Sequence, residues 1–179
     1  MNESQRISNN ALTVLALANE FCHDLEHLEE FEQEDFLAKM LKLLPRLYIT
    51  VSDLELTDEE RDEIDENAFI NPALTEEQYN IVRENIAHLM AENDIYLEVF
   101  LDDMQYSDTP ISASISENLA DIYQPLYNLV AAVKDAPTES TMALLMLCKD
   151  DFVNYWAQVL CNVLRALNMT YYNTPSTLD

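Results

Sequence analysis

One stretch near the start of the chain places ligand-type side chains at helical intervals: Glu20, His23, Asp24, His27 and Glu30. Side chains three and four residues apart share a helix face. Glu20-x-x-His23 and the His23/His27 pair could therefore offer carboxylate and imidazole to a metal, as Glu-x-x-His does in di-iron bundles. Such a site needs a second motif and two further inward glutamates. Glu84 and His88 have the wrong spacing, and the sequence holds three histidines in all. His23 and His27 also fall opposite the apolar stripe of Phe21 and Leu25, so they should face water. No metal, cofactor or catalytic residue is assigned; a metal-binding helical-bundle protein or enzyme using Glu20, His23 and His27 is the alternative reading.

Other reactive types have ordinary explanations. Lys149 lies on the apolar side of the last helical segment, where a buried amine needs an acidic partner or a route to solvent; a snorkelling side chain is expected. Arg165 shares a polar stripe with Asp151, Asn154, Gln158 and Asn162, and an ion pair is its expected role. Tyr48, Tyr123, Tyr155 and Trp156 could line a pocket, but aromatics at helical spacing are more often core or interface. Cys22, Cys148 and Cys161 have neither Cys-x-x-Cys nor zinc-like spacing and read as reduced core residues. The runs Asp58-Glu59-Glu60 and Asp62-Glu63 lack the alternation and central glycine of a calcium loop. No local nucleophile signature is present.

The elements that would position these groups are helices. Glycine is absent from all 179 residues, which removes phosphate loops, dinucleotide fingerprints and nucleophile elbows and argues against tight hairpins. Apolar spacing predicts a first helix from Ala11 to about Glu30 and a second from Glu32 to about Asp53, kinked at Pro45. Thr75 and Gln78 form a capping box that starts a third, ending near Glu92. Asp94–Leu101 is ambiguous and read as an irregular or short helical connection, with 105–114 as a loop. A fourth helix starts at Ser114 or Ser116, bends at Pro125 and ends at Asp135-Ala136-Pro137. Thr138 to Asn168 reads as one long helix, mostly buried, with Met146, Val153, Leu160 and Leu164 widening its apolar side. The expectation is an all-α, single-domain bundle of about five helices over 1–179, with the C-terminal helix central and an acidic linker at about 53–74.

Net charge bounds the partners. With 34 acidic and nine basic residues the formal charge is −25, and such a chain repels phosphate backbones and anionic lipid. Residues 1–108 carry 27 acidic and six basic groups, against seven and three in 109–179. Direct nucleic-acid or membrane binding is not expected; a basic protein partner is compatible, as is mimicry of nucleic-acid charge. The polar start is no signal peptide and no apolar run reaches membrane-spanning length, so a cytoplasmic location is expected.

Several phrases occur in a familiar order: Asn19-Glu20-Phe21-Cys22, Leu44-Pro45-Arg46-Leu47-Tyr48, Tyr96-Leu97-Glu98-Val99-Phe100, Leu119-Ala120-Asp121-Ile122-Tyr123 and Leu164-Arg165-Ala166-Leu167. Together they resemble an all-helical bacterial family catalogued as a domain of unknown function. The resemblance implies a compact cytoplasmic helical domain and carries over no activity, cofactor or catalytic residue. It also implies histidines near the positions held here by Val159 and Asn168, a departure that weakens histidine chemistry on the last helix. The function expected is a non-enzymatic interaction or adaptor module; no oligomeric state follows from the residues.

Overall fold

Periodic apolar positions and polar caps build the helices where expected. The computed structural model describes residues 8–55, 68–98 and 111–173. Helix α1 spans Asn9–Glu26, capped by Ser8 Oγ, which accepts from the Ala11 amide at 3.1 Å. Its buried residues Val14, Ala18, Phe21 and Leu25 form the expected stripe. A 3-10 turn, Leu28–Glu30, follows, so α1 itself stops earlier than the periodicity suggested. Helix α2 (Gln33–Ser52) continues through Pro45 as one element, and α3 (Glu76–Met90) starts with the complete Thr75/Gln78 capping box.

Between α3 and the next helix the expected irregular connection and loop are corrected to a two-stranded ribbon. Strand β1 (Ile95–Glu98) pairs antiparallel with β2 (Ile111–Ser114), Tyr96 facing Ala113. Residues 99–110 of those two segments lie outside the described residues, as do 56–67 of the acidic linker. The alternation in β1 is inverted: Ile95 and Leu97 are 63% and 59% exposed, while the Tyr96 hydroxyl donates to Asn118 Oδ1 at 2.9 Å and Glu98 accepts from Asn162 Nδ2.

Helix α4 (Ile115–Asp135) also runs through its proline, Pro125. The last helical rod has two α segments, α5 (Thr141–Asp151) and α6 (Ala157–Asn173), joined by a π-helical turn, Phe152–Trp156. Cys148, Phe152, Trp156 and Leu160 are all buried at intervals of four. On a regular α-helix each such step drifts by about 40° around the axis. The π turn, closed by the Ala157 amide bonding to Phe152 O, takes up that drift. Two details of the expected last helix are corrected. Val153 is 66% exposed and does not widen the buried face, and Cys161 is exposed while Cys22 and Cys148 are core residues.

The bundle closes around two long elements. The last rod carries the fully buried Trp156 and packs through α6 on α2 and α4, while α4 touches α1, α3 and both halves of the rod. Among the described residues no helix is long and apolar enough to cross a membrane.

Without glycine, several helix ends are closed by side chains from elsewhere. Gln33 Nε2 donates to Leu89 O and Met90 O at the end of α3, at 2.8 and 3.0 Å. At the end of α2, Asn10 Nδ2 donates to Thr50 O at 3.0 Å, and the Lys149 ammonium donates to Ser52 O at 2.9 Å and to Leu54 O. The buried Asp94 carboxylate takes the Ser116 amide and hydroxyl at the start of α4, each at 2.8 Å. Asn128 Oδ1 accepts the Ala73 and Leu74 amides, both at 2.9 Å.

One end keeps its strain: Ala91, after α3, has φ 49° and ψ −124°, a conformation that glycine adopts at little cost. Ala91→Gly should therefore raise the unfolding free energy by about 1 kcal/mol, the strain released exceeding the unfolded-state entropy added. Denaturant unfolding checks this, and a less stable variant would contradict it.

Candidate functional site

The α1 cluster does not assemble as a metal site. Periodicity puts Glu20 and Asp24 one turn apart, and α2 brings Lys39 over both. Lys39 Nζ lies 2.9 Å from Glu20 Oε1 and 3.3 Å from Asp24 Oδ2. Asp24 is buried, which raises its carboxyl above the usual range; Lys39 pulls it back and Glu20 adds to the rise. Lys39 is itself raised, chiefly by its hydrogen bond to Glu20. His23 and His27 face outward as expected, their rings stacked with centroids 4.2 Å apart. The His27 Nδ1 to His23 O hydrogen bond, 2.8 Å, raises the His27 pKa, and Glu29, Glu30 and Glu26 favour its charged form. Glu20, His23 and His27 are thus not brought together as ligands. Among the described residues no group of three or more His, Cys, Asp or Glu is placed to hold a metal.

A neighbouring residue that the sequence did not single out, Glu26, edges an open cleft of about 320 Å³ between α1, α3 and α4. Leu25 and Val82 are buried in its apolar wall, and Ile81 completes that wall while remaining half exposed. Tyr123 and Tyr127, on successive turns of α4, bring their rings to 5.4 Å. The Tyr123 hydroxyl donates to Glu26 Oε1 at 2.8 Å, which orients the carboxylate. Burial, then that hydrogen bond, pushes the Tyr123 phenol well above its ordinary range. Asn85 and Gln78 contribute amides to the rim.

A second polar node shares α3 and α4 with the cleft. Asp121 of α4 accepts from Tyr79 Oη at 2.7 Å and from Tyr155 Oη at 2.8 Å, joining α3, α4 and the π turn. Burial first, and Asp121 second, raise both phenols, Tyr155 to about 12. Of the aromatics expected as pocket candidates, only Tyr123 lines the cleft. Tyr48 packs edge-on to Phe152 at 5.1 Å, Phe152 packs edge-on to Trp156 at 4.6 Å, and Tyr155 is 55% exposed.

Lys149, partly buried, reaches carbonyls at and just past the end of α2, Ser52 O and Leu54 O, partners that sequence spacing did not suggest. Arg165 is exposed on the rod, with Asp151, Asn154 and Gln158 also exposed along the stripe. The cleft itself had one signal in the sequence, an acidic residue beside an apolar one on α1. Its other walls come from helices more than fifty residues away.

These features define a helical domain with a shallow, acid-edged cleft and no assembled metal centre among its described residues. The chain belongs to the family described as a domain of unknown function, DUF5063, which matches residues 5–173. It is similar to protein BF1032 from Bacteroides fragilis, a solved crystal structure, with 32% identity, a TM-score of 0.78 and coverage of 96% of this chain and 98% of that one. No curated protein matches the chain.

Two expected outcomes follow from the electrostatics. Lys39→Met leaves the buried Asp24 carboxylate without its cation, so it should lower stability by about 1–3 kcal/mol, and adding Asp24→Asn should recover part of that loss. Failure of Asp24→Asn to recover any stability would contradict the pairing. Tyr79, Tyr96, Tyr123 and Tyr155 are all raised from the ordinary value of 10.0, Tyr155 to about 12. The folded chain then keeps protons that the unfolded chain releases, so their contribution is fully present below about pH 10 and falls above it, the part from Tyr155 being lost as pH rises through about 12 and the rest at higher pH. Unfolding midpoints that stay level above about pH 10 would contradict the raised phenols.

Proposed function

We propose that the domain is a cytoplasmic, non-enzymatic interaction or adaptor module whose acidic surface receives a basic protein. The observation that carries this reading is the band of exposed carboxylates where α1 turns into α2: Glu26, Glu29, Glu30, Glu32, Glu34 and Asp35. Within it, like charges sit close together and, among the described residues, no lysine or arginine is paired with them, whereas Glu20 and Asp24, one turn earlier, share Lys39. Concentrated negative potential of this kind steers and selects a complementary positive surface. The overall charge of −25 disfavours anionic partners over the same face.

Capture from a host lysate at low and high salt tests the role. A defined basic protein should be retained at low salt and released at high salt, because screening shortens the reach of exposed charges to about 3 Å at 1 M. Joint replacement of Glu29, Glu30, Glu32 and Glu34 by Gln should weaken capture several-fold. Recovery of no partner at either salt, or capture indifferent to both salt and the replacements, would contradict the proposal.

A further inference from the structure

The cleft edged by Glu26 has the composition of a pocket for one cationic side chain. Its volume of about 320 Å³ is at the small end of ligand pockets, a size suited to a side chain and small for a nucleotide or large cofactor. Its wall from Leu25 to Ile81 and Val82 is apolar and can cover methylene groups. Its edge is a carboxylate already turned toward the tyrosines by the 2.8 Å bond from Tyr123. An anion would meet Glu26, and Glu29 and Glu30, which act on the same His27 as Glu26 does, add to the repulsion. A purely apolar group would strip water from Glu26 without replacing its hydrogen bonds.

Among cations, the rim favours a guanidinium over an ammonium. A carboxylate has about four acceptor sites, so Glu26 retains capacity for a forked pair of N–H donors after accepting from Tyr123. Asn85, exposed on the facing helix and with no side-chain hydrogen bond among the described residues, offers an amide oxygen to a further donor. The Tyr127 ring, only half buried, presents an aromatic surface on which a planar guanidinium stacks and a compact, strongly hydrated ammonium does so less well.

We propose that this cleft receives an arginine side chain of the basic partner, its guanidinium paired with Glu26 and stacked on Tyr127, its stem against Leu25, Ile81 and Val82. The proposal rests on the interaction role given above and adds the anchoring residue type and its seat. Arginine is over-represented among the residues that dominate protein interfaces, particularly when it fills a pocket bounded by aromatic groups.

The test uses N-acetyl-arginine methylamide and its lysine counterpart as probes, titrated into the whole chain and followed by NMR at the Tyr123 and Tyr127 rings and the Asn85 side-chain amide. The arginine probe should give saturable, localised shifts with a Kd on the order of 1 mM, and the lysine probe should bind several-fold more weakly. Glu26→Gln, which keeps an acceptor for Tyr123, should abolish the saturable shifts, and Tyr127→Leu should weaken them. Joint Glu29→Gln and Glu30→Gln should leave them largely in place. Equal response to both probes, shifts spread over the acidic surface, or persistence in Glu26→Gln would overturn the site. Lysate capture with the same variants separates the two levels. A partner held equally well by Glu26→Gln overturns the cleft and leaves the interaction role standing. Absence of a partner for every variant removes that role, and the cleft then stands or falls on the titration.

Discussion

A chain without glycine has no easy way to end a helix. The left-handed residue that commonly closes a C-terminus costs little for glycine and more for every other type, and the last carbonyls still need donors. This protein supplies them across the tertiary structure. Gln33 closes α3 from the start of α2, while Lys149 and Asn10 close α2 from the last rod and from α1. At the opposite kind of end, Asp94 caps α4 from the segment before the ribbon. The C-terminal ends of α2 and α3 and the start of α4 are therefore finished only when other segments have docked, so at these ends local and tertiary structure form together. At the end of α3 the donors from Gln33 satisfy the last carbonyls, but the backbone still turns through a positive φ at Ala91 and carries the strain there.

The same economy governs the acidic groups. Asp94 caps a helix, Asp121 bridges two tyrosines, Glu98 takes an amide from the last rod, and Asp24 is held under Lys39. Asp94 and Asp24 are buried and Asp121 and Glu98 partly so; a charge taken from water needs donors or a cation close by, because without them its burial is costly. Carboxylates at the turn between α1 and α2 have no such duty and remain exposed. Glu26 stands between the two groups: one oxygen is fixed by Tyr123 while the carboxylate borders an open cleft. That position joins the architecture to the interaction role.

The helices were legible in the sequence because an apolar stripe repeats within each one and the caps are local. Ser8 and the Thr75/Gln78 box mark their helix starts without outside help. The ribbon was not legible, since β1 is four residues long and its alternation points Ile95 and Leu97 outward; pairing with β2 decides its conformation. The π turn left a trace in the run of four-residue intervals from Cys148 to Leu160, which an α-helix cannot keep on one face. His23 and His27 were placed outward correctly. The burial of Asp24 was missed, because it depends on where α2 lays Lys39 and its apolar neighbours. The cleft was missed for the same reason, its three walls being brought together by packing alone.

The dependence of helix ends on distant side chains is tested most directly by the unfolding free energy of the double variant Lys149→Met, Gln33→Leu. Both changes keep the approximate shape of the side chain and remove its donors to α2 and α3. The account predicts a loss of about 2 kcal/mol or more, since each change leaves two carbonyls without their partner. A change within about 0.5 kcal/mol, the range of an ordinary surface substitution, would contradict it.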